Sequence, residues 1–376
     1  MFMFRSRRSK LIRQLKAARQ KQSHEARRTI EDHQQQQLLQ NNHHNHHNRL
    51  GGGGAGGGGG DERVDEQLFK PLNINQLEML MTAVAGRGQS ATNCVLLARD
   101  CEREPHVLCC QLYRWADLRH AAELRRMPEC RSAVDPVYIC CNPYHWSRLC
   151  QPDSPPPPYS HCAMDSFKPE DRAPSEASIV FRDSFIGSLT TSGEDSSVNS
   201  SGWCKLAYWE QQKRVGEQYP VFASHLNVFG DIPCGDGLSL TQLAQHSFSP
   251  PDSVSRTRCK IGLGVTLSRE EDGIWVYNRS EHPVFVNSLT LEDPCVSSST
   301  SATPTKVPAE HCICVFDPTK AALANYGWDF ARRRRDGPVD TNSVQISFAK
   351  GWGARYSRQD VMSCPCWIEV LLEPCR

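Results

Sequence analysis

Trp203-Cys204-Lys205-Leu206-Ala207-Tyr208-Trp209 opens a stretch in which short β-branched and aromatic runs alternate with turn residues. The same texture returns at Gly273 to Tyr277, Val284 to Asn287, Ile313 to Phe316, Val344 to Phe348 and Trp367 to Leu371. Each run has the length of a strand, and a series of such runs bounded by turn residues predicts a β-sandwich. Pro318 to Tyr326 interrupts them with an Ala-rich face that favours a short inserted helix, and Arg332 to Arg335 beyond it reads as a solvated helix end.

Upstream of Trp203 the composition changes. Residues 151–202 hold eight Asp/Glu against three Lys/Arg, with nine Ser/Thr between Asp183 and Ser201 and few large apolar side chains. Such a segment buries too little apolar surface to offset chain entropy, so 163–202 reads as a Ser-rich acidic linker. Just before it stands Pro155-Pro156-Pro157-Pro158-Tyr159. Consecutive prolines favour polyproline II, which loses little entropy on entering the aromatic groove of a WW-type module. Pro156, Pro157 and Tyr159 fit the Pro-Pro-x-Tyr ligand of that class; a plain spacer is the competing reading.

At the other end, residues 1–28 carry ten Lys/Arg and one acid. Leu11, Ile12 and Leu15 lie among these charges at a spacing compatible with a short basic amphipathic helix. The chain then runs through Gln34 to Gln37, Asn41 to Asn48 and a glycine run at 51–60, so 1–61 as a whole reads as a disordered basic, low-complexity tail. Order is expected from residue 62. Leu77, Leu80, Met81 and Val84 repeat at helical spacing, with Asn75 as N-cap, Glu78 completing a capping box and Gly86 as the stop. A second short helix is expected after Asp117, through Leu118, Ala121, Ala122 and Leu124, until Pro128 ends it.

Nine of the 18 cysteines fall between positions 94 and 162, more than core packing alone predicts. Cys94, Cys130, Cys140 and His145, with 35, nine and four residues between successive members, form a set of three thiolates and one imidazole. That donor set suits one closed, tetrahedral, structural Zn2+. Cys140 and Cys141 are neighbours on an extended segment and point opposite ways, so one of them is the ligand; Cys109 and Cys110 read as buried free thiols. His106 and His120 are alternative ligands on spacing alone.

No stretch approaches the roughly 18 uninterrupted apolar residues of a membrane helix, and Met1 to Arg13 lacks the apolar region of a secretion signal. An intracellular, reducing location is the expectation, which favours a metal site over a disulfide framework. There is no Gly-rich phosphate loop, Gly-x-Ser-x-Gly elbow or His-Glu-x-x-His, so the chain is not expected to be an enzyme.

These residues carry a family resemblance. Pro105-His106-Val107-Leu108, Tyr113-Arg114-Trp115-Ala116-Asp117-Leu118 and Cys140-Cys141-Asn142-Pro143-Tyr144-His145 resemble the Mad-homology 1 domain of Smad proteins, over about 62–162. Ala207-Tyr208-Trp209-Glu210, Trp275-Val276-Tyr277-Asn278-Arg279-Ser280, Phe348-Ala349-Lys350-Gly351-Trp352-Gly353 and Cys364-Pro365-Cys366-Trp367 resemble a Mad-homology 2 domain, over 203–376. The opening Met3-Phe4-Arg5-Ser6-Arg7-Arg8-Ser9, the position of the proline run, and a chain ending at Arg376 without a Ser-Ser-x-Ser tail resemble the inhibitory subgroup, antagonists of TGF-β and BMP signalling.

The resemblance implies an α+β protein: a small zinc-stabilised first domain of helices and short hairpins, a disordered linker, and a β-sandwich second domain with helices. It places zinc on Cys94, Cys130, Cys140 and His145. It implies that Lys350, Gly351, Trp352, Gly353 and Arg358 belong to a loop engaging a phosphorylated type I receptor, where Lys350 and Arg358 pair with phosphate. It further implies contacts with other Smads, a HECT-type ubiquitin ligase bound at Pro156, Pro157 and Tyr159, and residence in nucleus and cytoplasm. The family's DNA-reading hairpin should fall between Cys94 and His106, but there Asp100, Glu102 and Glu104 offset Arg99 and Arg103 and oppose phosphate backbone contact. A zinc-stabilised DNA-binding transcriptional repressor is the alternative reading.

Overall fold

The computed structural model describes residues 7–21, 68–89, 92–99, 104–133, 135–150, 202–231, 236–246, 250–291, 304–326 and 342–373. They divide into two units, Met1–Leu149 and Cys150–Arg376. The Pro-Pro-x-Tyr residues, the acidic linker and the Arg332 to Arg335 run lie outside the described residues.

The first unit begins with a correction. Within the stretch expected to be a disordered tail, residues 7–21 form a helix, α1, whose Leu15 is fully buried in the core of this unit. Leu11, Ile12 and Ala18 pack against the same core, so one apolar stripe outweighs the basic composition around it. The charges contribute as well: Arg7 pairs with Glu78 at 2.5 Å, and the Arg8 guanidinium donates to the carbonyls of Phe69, at 2.7 Å, and Leu72.

Helix α2, Ile74–Gly86, buries Leu77, Leu80, Ala83 and Val84. Its N-cap is Asn73 rather than the expected Asn75: the Asn73 side chain accepts from Gln76 N at 2.9 Å, and Gln76 Oε1 accepts from Asn73 N at 2.8 Å. Asn73-x-x-Gln76 and Asn75-x-x-Glu78 are both capping boxes on paper, and Glu78 is engaged instead by Arg7. Arg87 closes the helix in the left-handed region at φ 46°.

Strand β1, Leu96–Ala98, precedes helix α3, Pro105–Tyr113, which starts on its proline. The helix expected after Asp117 is a single 3-10 turn, Ala121–Glu123, running into strand β2, Leu124–Arg126. Pairing explains the change: β2 lies antiparallel to β4, Trp146–Leu149, and Arg148 on β4 holds Glu123 at 2.7 Å and Asp117 at 2.8 Å. Strand β3, Tyr138–Cys140, pairs with β1. The stretch expected to hold a DNA-reading hairpin therefore contributes β1 to a pairing with a distant strand, and residues 100–103 lie outside the described ones.

The second unit is the expected sandwich. Its strands are β5 Cys204–Glu210, β6 Lys213–Val221, β7 His225–Phe229, β8 Gly237–Ser239, β9 Val265–Glu270, β10 Gly273–Asn278, β11 Val284–Ser288, β12 Thr305–Val307, β13 His311–Phe316, β14 Ser343–Phe348 and β15 Trp367–Leu372. One layer carries β13, β10, β9, β7 and β8 in that order, and the other β12, β11, β14, β15, β5 and β6. Apart from the parallel β7–β8 pair, the strands run antiparallel. Val228, Leu267 and Val276 from the first layer and Leu206, Ile346 and Ile368 from the second share one core, as strand alternation predicts. Helices α4, Leu240–Leu243, α5, Asp252–Ile261, and α6, Pro318–Tyr326, complete the unit.

Beneath α5 lies a buried ionic group. Arg258 Nε and Nη2 donate to the two oxygens of Glu210 at 2.6 and 2.8 Å, and Tyr208 Oη donates to Glu210 Oε1 at 2.9 Å. This bidentate pairing ties the helix to β5.

Candidate functional site

Four chain segments converge in the first unit. Antiparallel pairing of β1 with β3 sets Leu96 opposite Cys140 and so brings Cys94, just before β1, beside Cys140. Cys130 is placed by a turn in which Cys130 N donates to Met127 O at 3.0 Å and Met127 N to His145 O at 2.8 Å. His145 ends a 3-10 turn capped by Asn142, whose side chain accepts from Tyr144 N and donates to Thr92 Oγ1 at 2.7 Å. Arg114, just past the end of α3, holds the same turn, donating to the carbonyls of Pro143, at 2.9 Å, and Trp146.

The donor atoms of Cys94, Cys130, Cys140 and His145 all lie within 4.8 Å of one another. Cys94 Sγ is 3.8 Å from Cys130 Sγ, and His145 Nδ1 is 3.5 Å from the sulfurs of both Cys94 and Cys140. A tetrahedral ion with metal–sulfur bonds near 2.3 Å sets its sulfurs about 3.8 Å apart and an imidazole nitrogen about 3.5 Å from each. The residues thus fit one metal ion. His145 Nε2 lies 3.0 Å from Thr92 O, an arrangement that turns the Nδ1 lone pair toward the sulfurs.

Electrostatics within the cluster suit a cation. Hydrogen bonding with Cys140 draws Cys130 down to about 3 and Cys94 to about 6, while the same contacts push Cys140 far up. Coordination needs all three sulfurs as thiolates, so a bound cation displaces the protons they carry. Cys141 sits in the core on the opposite side of the strand, as expected of a neighbour on an extended segment. Burial raises the thiol of Cys109 well above its ordinary value. His106 is outside the cluster, its ring tilted at 32° to that of Trp146 with centroids 4.7 Å apart, and His120 caps the 3-10 turn.

A second candidate site is the loop after β14. Ala349 and Gly353 adopt left-handed backbone, at φ 58° and 90°. Lys350 O accepts from Ser347 Oγ at 2.7 Å, and Gly353 N donates to Arg358 O at 2.8 Å. The loop thus folds back on itself, and the segments carrying Lys350 and Arg358 are fixed at its base. Trp352, expected among the ligand-engaging residues, is only 4% exposed and packs with Phe285, Val361, Cys364 and Trp367 beneath the loop. Trp209 stacks on Trp367 at 5.3 Å, and Tyr356 meets Phe285 edge-on at 5.4 Å. This aromatic base escaped sequence reasoning because Trp209, Phe285 and Tyr356 come from three separate segments; the density of aromatic residues around 352–367 was its only local signal.

The two units have the architecture of a two-domain MH1 and MH2 protein: the MH1 domain model matches residues 62–150 and the MH2 domain model residues 201–373. The chain belongs to the Smad family, in its inhibitory subgroup. It is 45% identical over 324 residues to "Mothers against decapentaplegic homolog 6" of Gallus gallus, covering 81% of this chain and 73% of that protein. Identity to "Mothers against decapentaplegic homolog 7" of Homo sapiens is 39% over 331 residues, covering 81% and 76%. "Dwarfin sma-3" of Caenorhabditis elegans is 29% identical over 303 residues, covering 71% and 72%. No helix among the described residues is long and apolar enough to cross a membrane.

Proposed function

We propose that this chain is a non-enzymatic antagonist of TGF-β and BMP signalling whose sandwich unit binds the phosphorylated type I receptor, and also activated Smads, through the loop from Lys350 to Arg358. The observation that carries the reading is the preformed loop: Gly351 leaves room for the Tyr356 ring that braces it, and two cationic side chains, Lys350 and Arg358, stand on a rigid aromatic base. Pro156, Pro157 and Tyr159 recruit a HECT-type ubiquitin ligase through its WW domains, which delivers the ligase to the receptor. The ion of the first unit is Zn2+: three thiolates and one imidazole are soft donors in a closed set, and zinc there contributes folding free energy rather than catalysis. The chain works in both cytoplasm and nucleus, meeting receptors in the first and Smad complexes in the second.

The test is capture of the full chain by a phosphorylated type I receptor cytoplasmic domain. Lys350→Ala with Arg358→Ala is expected to weaken capture at least tenfold, about 1.4 kcal/mol, and undiminished capture removes the loop from the reading. Tyr159→Ala is expected to lower affinity for isolated WW domains by a similar factor; an unchanged affinity returns the proline run to spacer status.

A further inference from the structure

The metal ligands are not equally protected. Cys130, Cys140 and His145 are buried, and Cys140 is fully so, whereas Cys94 is partly exposed. Cys140 is also covered by its neighbours, accepting from Asn142 N at 3.4 Å and facing His145 Nδ1. The other thiols described in this unit, Cys109, Cys110 and Cys141, lie at 0% exposure in its core. Cys94 is therefore the one thiol-bearing residue among the described residues of this unit that is not buried, and its sulfur stands 3.8 Å from Cys130 Sγ.

We propose that Cys94 and Cys130 form a peroxide-responsive pair whose oxidation to a disulfide releases the metal. The inference rests on the reading of this cluster as a metal site. In the first step the Cys94 thiolate attacks one oxygen of hydrogen peroxide; the O–O bond breaks, hydroxide leaves, and Cys94 becomes a sulfenic acid. In the second the Cys130 thiolate attacks the Cys94 sulfur; the S–O bond breaks, a second hydroxide leaves, and the S–S bond forms. Two thiolates lose two electrons in all, and peroxide gains them. The sulfurs close from 3.8 Å to about 2.0 Å. The ion then keeps only Cys140 and His145, too few donors for a closed site. Metal loss withdraws the folding free energy that coordination supplies, so the oxidant acts as an off-switch for the first unit.

The test uses the full chain loaded with zinc, hydrogen peroxide as the oxidant, and a chromophoric zinc chelator as the readout. Peroxide is expected to release one zinc per chain, and peptide mapping without reductant should find the Cys94–Cys130 disulfide. Dithiothreitol with added zinc should restore the loaded form. Cys94→Asp retains an oxygen donor but cannot form the disulfide, and is expected to slow zinc release at least tenfold; Cys109→Ala should release zinc at the unaltered rate. If Cys94→Asp fails to hold zinc, mapping of the unaltered chain decides alone. Zinc retained under peroxide, or a disulfide joining Cys140 instead of the Cys94–Cys130 pair, overturns the proposal; an unloadable unaltered chain would instead overturn the metal site itself.

Discussion

The ring of Tyr356 lies across the backbone of Gly351, so that a Cβ on residue 351 would stand 2.6 Å from Tyr356 Cζ. The ring cannot retreat freely, because Phe285 meets it edge-on and Trp352 fills the space below. Gly351→Ala is therefore expected to displace Tyr356 and the Lys350 to Arg358 segment with it. Receptor capture should fall at least tenfold while the far-ultraviolet spectrum of the sandwich stays unchanged. Capture at the original level would show that the loop tolerates a shifted ring.

Helix α1 belongs to the core of the first unit, and Leu15 is its anchor. Leu15→Ala removes a fully buried side chain and is expected to cost about 2–5 kcal/mol. Faster hydrogen exchange in α2 and quicker loss of metal to a chelator would report it. Exchange at the rate of the unaltered chain would mean that α1 is dispensable.

The Glu210–Arg258 pair is mostly buried, with Glu210 at 7% exposure and hydrogen-bonded also by Tyr208. Arg258→Ala strands a carboxylate in the core, and such losses cost about 3–5 kcal/mol. Thermal unfolding of the sandwich should shift accordingly. Glu210→Gln, which keeps the hydrogen-bonding shape and leaves no buried anion, is expected to cost less than Arg258→Ala.

His106 gives the first unit a pH dependence. Burial, reinforced by Arg126 and Arg99, lowers its pKa to about 4 from an ordinary 6.5. Between those values the unfolded chain binds a proton that the folded one refuses, so stability is present at neutral pH and lost as pH falls from 6.5 toward 4. The loss is about 3 kcal/mol, at about 1.4 kcal/mol per pH unit. His106→Gln should flatten the denaturation profile in that window relative to the unaltered chain; parallel profiles would assign the acid sensitivity elsewhere, the metal ligands first.

Residue patterns revealed more of the sandwich than of the first unit. Its β-branched and aromatic runs are short and bounded by turn residues, and the expected strands at 273–277, 284–287 and 344–348 each match an observed strand to within a residue or two at the ends. Edge strand β6, exposed along most of its length, and β9 offered weaker contrast and were missed. In the first unit local rules were ambiguous or overruled: two capping boxes competed for α2, and pairing of β2 with β4 overrode helical propensity after Asp117. The four metal-ligand candidates were legible because cysteine spacing is informative, whereas their supports, Thr92, Asn142 and Arg114, are ordinary residues until the fold brings them together.

The metal cluster joins Cys94 to His145 across 51 positions, and α3 lies wholly inside the loop so closed. No ligand set exists until β1 has found β3, so high-affinity metal uptake follows tertiary pairing in time. Drawing the chain ends of so long a loop together is slow relative to local helix formation. The rate at which newly made chains acquire a metal ion should thus serve as a clock for completion of the first unit, and lesions remote from the cluster, Leu15 among them, should delay that clock without touching a ligand.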